Sequence, residues 1–134
     1  MTLVVDASVV VAALVDAGPT GSWAEAMLLE EPRLVAPHLI HPEVTNVLRR
    51  TVARGAVSDL EAGMAQHDLL RLPLELWPYE PVAERVWDLR HNLSTYDGWY
   101  VALAELLEAP LATADLRLAR APGLRCEVRV PSSD

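Results

Sequence analysis

Short apolar runs that alternate with helix-patterned segments restrict this chain more than any other feature. Thr2-Leu3-Val4-Val5, Arg33-Leu34-Val35-Ala36, Leu74-Glu75-Leu76-Trp77, Leu111-Ala112-Thr113 and Cys126 to Val130 read as strands. Helical patterns separate them: Ala7 to Val15, Thr20 to Glu31, His38 to Arg54, Ser58 to Leu72, a segment opened by Pro81 and ending near Asn92, Ser94 to Glu108, and Leu116 to Ala121. Strand and helix in this order, with extra helices between the second and third strands, predict an α/β fold whose central, mainly parallel sheet is flanked by helices on both sides. The 134 residues, about half of them apolar, suffice for one full core. We take 1–130 as one domain and 131–134 as a frayed tail.

Local signals mark the boundaries. Gly18-Pro19 breaks the chain before an amphipathic helix with Trp23, Met27 and Leu28 inward, and Gly55 closes the helix that ends at Arg54. Ser58-x-x-Glu61 is a capping box, which places Leu60, Met64 and Leu70 as core positions of the helix it starts. Val82, Val86 and Leu89 are the inward positions of the Pro81 helix.

Composition removes several classes of function. The apolar stretch near Ala7 to Val15 falls short of the ~20 residues that span a bilayer, and Asp6 with no base before it is wrong for a secretory signal, so a soluble cytoplasmic protein is expected. Cys126 is the only cysteine and reads as a small apolar strand residue. The formal charge of −8 comes from 19 acids and 11 bases, all arginine, which excludes a catalytic lysine and argues against non-specific duplex binding. An acidic pocket that recruits cations is compatible with it.

Four carboxylates stand where one cleft could collect them. Asp6 and Asp115 end strands, Asp97 lies in the first turn of a helix started by Ser94 and Thr95, and Glu43 sits beside the apolar stripe of Ile40, Val44, Val47 and Leu48. Each has an ordinary explanation alone, Asp6 as a helix cap for example. Together they repel: two like charges ~4 Å apart cost about 4 kcal/mol at an effective dielectric of 20. Mg²⁺ or Mn²⁺ relieves that repulsion and suits oxygen ligands. Ser8 is a cap or a support beside Asp6, and Asn46 is placed to orient Glu43. Arg49, Arg50 and Arg54 form a basic cluster that is either a solvated helix end or a phosphate contact.

Four blocks carry a resemblance: Val4-Val5-Asp6-Ala7-Ser8, Pro42-Glu43-Val44-x-x-Val47-Leu48-Arg49-Arg50, Tyr96-Asp97-x-x-Tyr100-Val101-Ala102-Leu103-Ala104 and Leu111-x-Thr113-Ala114-Asp115-x-Arg117-Leu118. In this order and over almost the whole chain, they resemble the PIN-domain nucleases, and more narrowly the VapC toxins of bacterial toxin–antitoxin pairs. The resemblance implies a metal-dependent endoribonuclease with Asp6, Glu43, Asp97 and Asp115 as its acidic pocket, Mg²⁺ or Mn²⁺ as cofactor, and Ser8, Asn46 and Thr113 as supporting polar residues. It also implies a homodimer, held inactive by a basic antitoxin in a heterotetramer or larger assembly. Gly98 after Asp97 and Leu116 after Asp115 depart from the family pattern, the first at a helix start and the second at an expected RNA contact.

The expected chemistry is in-line attack of an activated water on an RNA phosphorus, with Arg49, Arg50 and Arg117 as RNA contacts. Tyr96 or Trp99 could stack on bases, although core packing suits Trp99 better. A zinc hydrolase on His38-x-x-His41-x-Glu43 is weakened by Pro42 and by the lack of a placed third histidine. A phospho-acceptor receiver domain usually needs a lysine, absent here. The rival outside enzymology is a non-catalytic PIN-fold binding module that acts through protein partners.

Overall fold

A computed structural model describes residues 1–132, so Ser133 and Asp134 of the expected tail lie outside the described residues. The strands are β1 (Thr2–Val5), β2 (Arg33–Pro37), β3 (Leu74–Trp77), β4 (Leu111–Ala112) and β5 (Val128–Arg129). The helices are α1 (Ala7–Val15), α2 (Pro19–Glu30), α3 (Ile40–Ala53), α4 (Asp59–Leu69), α5 (Ala83–Asp88), α6 (Thr95–Leu106) and α7 (Leu116–Ala119), with a 3-10 turn at Glu80–Val82 leading into α5.

Among the described residues the strands form one sheet in the order β3-β2-β1-β4-β5, and every neighbouring pair is parallel. Val4 pairs with Val35 on one side and Leu111 on the other. A central parallel strand is covered on both faces, which is why Leu3, Val4 and Val5 can all be apolar and fully buried. Strand order reverses between β1 and β4, and the crevice beyond their carboxyl ends is where such sheets bind ligands.

The helices pack in two groups: α1 with α2, α3 and α4, and α6 with α5 and against β1, β2 and β4. Gly21 sits where α2 meets the end of α1, and a β-carbon there would stand 2.7 Å from the carbonyl carbon of Asp16. Gly98 faces α5, where a β-carbon would meet Val86 Cγ1 at an ordinary contact distance of 3.4 Å, and α6 runs through it unbroken. Arg85 on α5 donates from Nε to Glu105 of α6 at 2.6 Å, fixing the two helices together.

The capping box at Ser58 and Glu61 forms as expected, but the core positions assigned to α4 do not hold. Leu60, Met64 and Leu70 are 75, 60 and 64% exposed, whereas Ala65 and Leu69 are buried. The buried stripe is Ala65 and Leu69, with Ala62 half-buried one turn earlier, and Thr45 donates to Gln66 across α3 and α4 at 2.8 Å. Side-chain size pointed to the wrong face of this helix. Elsewhere the inward positions Val82, Val86 and Leu89 are buried, and Trp23, Met27 and Leu28 pack on the core. Among the described residues no helix is long and apolar enough to cross a membrane.

Candidate active site

The carboxyl ends of β1 and β4 open into a cleft of about 940 Å³, and Asp6, Glu43, Asp97 and Asp115 all line it. Each acid arrives on a different element for a local reason. Asp6 follows the last residue of β1 and caps α1, accepting from Val9 N at 3.2 Å. Asp115 caps α7, accepting from Arg117 N at 2.9 Å and Leu118 N at 3.4 Å. Asp97 is the third residue of α6 and donates its N–H to the capping Ser94 Oγ at 3.1 Å. Glu43 is in the first turn of α3, where a carboxylate complements the helix dipole.

Asp6 is the most constrained of the four, at 6% exposure. Ser8 donates to its Oδ1 at 2.5 Å and Thr113 donates to its Oδ2 at 2.5 Å. Both hydroxyls are themselves fixed by the backbone, Ser8 accepting from Ala114 N at 2.9 Å and Thr113 from Asp115 N at 3.0 Å. Each hydroxyl has one proton, so this wiring commits both to the carboxylate and seats it between the two strand ends. Burial nevertheless outweighs those bonds and pushes the Asp6 carboxyl up to about 6.

The other acids feel the same opposition. Burial raises Glu43, and nearby Asp97 adds to it, against relief from a Tyr100 hydrogen bond and from Arg50. Burial and the neighbouring Asp115 raise Asp97, against relief from Arg117. Among the described residues no three His, Cys, Asp or Glu side chains converge as they stand into a set that holds one cation. As they stand, Asp6 faces two hydroxyls, Glu43 faces Tyr100, and Asp115 faces the start of α7 and Arg117 at 3.6 Å. The chemistry of the donor set still fits a hard divalent ion, being all oxygen and held partly buried in mutual repulsion.

Of the supporting residues expected from sequence, Ser8 and Thr113 hold Asp6. Asn46 lines the cleft, but its Oδ1 accepts from Arg49 Nε at 3.0 Å. Glu43 is oriented instead by Tyr100, whose hydroxyl donates to Oε1 at 2.6 Å. Tyr100 was legible only as an apolar position of α6, although a buried phenol needs a polar partner and this one follows Asp97 by a helical turn. Arg50 and Arg54 line the cleft beside Tyr96, which is exposed, whereas Arg49 is spent on Asn46 and Arg117 lies at the rim. Trp99 packs edge-on against Tyr79 with centroids 5.2 Å apart, as core packing requires. Leu116 begins α7, 42% exposed.

Similarity to known proteins agrees with this geometry. Residues 3–124 match the PIN domain model. Ribonuclease VapC1 of Mycobacterium tuberculosis is 44% identical over 128 residues, spanning 95% of this chain and 96% of that protein. Among solved structures, VapC20 of M. tuberculosis, described as a sarcin-ricin loop cleaving toxin, superposes with a TM-score of 0.67 at 15% identity, covering 87% of this chain and 92% of that one. VapBC-5 of the same organism, a member of the VapBC family of toxin-antitoxin systems, gives 0.60 at 21% identity and covers 97% of both chains. At those identities the structures speak for the fold alone, but the family match spans nearly the whole domain and the VapC1 likeness is close: the chain belongs to the PIN-domain family, among its VapC proteins.

Proposed function

We propose that this protein is an endoribonuclease that hydrolyses RNA phosphodiester bonds with Mg²⁺ or Mn²⁺, as the toxin of a VapBC-type pair. The observation that carries the reading is that Asp6, Glu43, Asp97 and Asp115, from four separate elements, line one cleft at the reversal of the sheet. The name of its relative VapC1 supports RNA as the substrate.

A divalent ion in this cleft would supply charge neutralisation and activation of water. Asp6, Asp97 and Asp115 would hold it, with Glu43 as a further ligand or acting through water. Ser8 and Thr113 keep the Asp6 carboxylate aimed, so that less ordering remains to be done on binding. Arg50 and Arg54 offer phosphate contacts along the cleft, and exposed Tyr96 offers a stacking face for an unpaired base. Reserving recognition for a few arginines accords with a chain of net charge −8.

The partner in this reading is an antitoxin with a basic segment, since an acidic cleft attracts positive charge. The likeness to a toxin-antitoxin structure supports such a partner. The working form is a homodimer in the cytoplasm, assembled with antitoxin into a heterotetramer or larger complex.

The test is incubation of the purified chain, free of partner, with structured RNA and Mg²⁺ or Mn²⁺. Cleavage is expected, a chelator stops it, and Asp97→Asn abolishes it with the fold intact. Cleavage undiminished by chelator sinks the metal-dependent mechanism, and failure to cut any RNA favours a binding module.

A further inference from the structure

We propose that Tyr100 is a positioning residue for Glu43, its hydroxyl gripping Oε1 so that Oε2 is the oxygen presented to a divalent cation. This rests on the metal-dependent reading above and adds a residue to it.

The contact joins positions 57 apart in sequence at 2.6 Å. Tyr100 is 1% exposed, so its ring is clamped and its hydroxyl cannot wander. Packing alone would be served by phenylalanine, because burying a hydroxyl is unfavourable unless it is bonded. Its partner here is a cleft carboxylate and not a backbone carbonyl. Tyr100 also stands one turn after Asp97 on α6, so a single helix contributes one candidate ligand and fixes another that belongs to α3. A glutamate has three side-chain torsions to order, and a rigid donor removes part of that cost before any ion arrives. Among the described residues no hydrogen bond engages Oε2.

The rival is that the bond merely satisfies a buried phenol. Calorimetric titration of the metal-free full chain with Mn²⁺ separates the two. Tyr100→Phe should raise the Mn²⁺ dissociation constant on the order of tenfold, as loss of a ligand-orienting partner does. In a Glu43→Gln background the same change should have less than about a twofold effect, because the group it positions is gone. Equal Mn²⁺ affinity in wild type and Tyr100→Phe overturns the positioning role and leaves the metal-dependent reading standing. Absence of Mn²⁺ binding by the wild type overturns both. Should Tyr100→Phe fail to fold, 3-fluorotyrosine at this position keeps the shape and hydroxyl. Mg²⁺ should then shift its ¹⁹F resonance, and no shift at saturation overturns the role.

Discussion

Thr113 donates to Asp6 Oδ2 across 107 positions of sequence, at 2.5 Å, and in doing so pins the carboxyl end of β4 to that of β1. Thr113 Oγ1 in turn accepts from Asp115 N at 3.0 Å, so one fully buried hydroxyl connects two of the cleft acids. Thr113→Val keeps the shape and removes both bonds. RNA cleavage should fall tenfold or more, on the order expected for a ligand-orienting partner, and stability should fall by about 1–3 kcal/mol from the polar groups left unsatisfied. Thr113→Ser should recover most of both. Turnover and thermal melts of the two variants decide it, and a serine variant as impaired as the valine one rules out the hydroxyl as the cause.

The raised Asp6 carboxyl makes stability depend on pH in a definite direction. Its folded value of about 6 lies above the ordinary 3.8, so between the two the folded chain holds a proton that the unfolded chain has released. The stabilisation from this group is therefore complete below 3.8 and lost as pH rises through about 6. Glu43 and Asp97 are raised too and push the same way. Without metal, the melting temperature should drop by several degrees between about pH 5 and pH 7.5, on the order of 2 kcal/mol. Added Mg²⁺ binds the ionised acids, so its stabilising effect should grow over the same interval. Fluorimetric melts with chelator and with Mg²⁺ measure both, and a metal effect that shrinks as pH rises contradicts the assignment of the acids.

What sequence conveyed and what it hid follow from how each signal is encoded. β1 and β2 were plain because their buried runs are continuous and apolar, and Asp6, Asp97 and Asp115 because an acid at a strand end or helix start is a local pattern. Glu43 was reached through its place beside an apolar stripe. The partner of Glu43 was hidden, because Tyr100 contacts it only after α3 and α6 meet. The α4 face was misread for a related reason: periodicity gives stripes, but which stripe turns inward is decided by how closely Ala65 and Leu69 let the helix pack. Gly21 gave no sign of its importance, since close approach of two backbones has no local pattern.

Gly21 should tolerate no side chain. A β-carbon there would fall 2.7 Å from Asp16 C and 3.1 Å from Ala12 O, closer still to Asp16 O, and all three are backbone atoms that cannot swing aside. Alanine is ordinarily the better helix former by roughly 1 kcal/mol, yet Gly21→Ala must push α2 away from the end of α1. We expect a net loss of about 3 kcal/mol or more in urea unfolding. An unchanged or raised midpoint would show that α1 and α2 separate without cost.

At the far end of α6 a replacement should help. The helix closes in a Schellman arrangement, Ala109 N donating to Ala104 O at 3.0 Å and Glu108 N to Glu105 O at 3.1 Å. That closure requires a left-handed residue, and the position is held by Glu108 at φ 51°. The β-carbon of an L-residue crowds its own carbonyl there, a strain of roughly 1–2 kcal/mol that glycine escapes. Glycine also has more freedom to lose on folding, by roughly 0.5–1 kcal/mol, which offsets part of the relief. Glu108 is exposed, and removing its negative charge from a helix C-terminus is itself favourable. Glu108→Gly should therefore raise stability by about 1 kcal/mol, or about 4 °C in melting temperature, with RNA cleavage unchanged because the site lies at the opposite end of the helix from Asp97. A lowered melting temperature would mean that the side chain of Glu108 contributes more than its backbone costs.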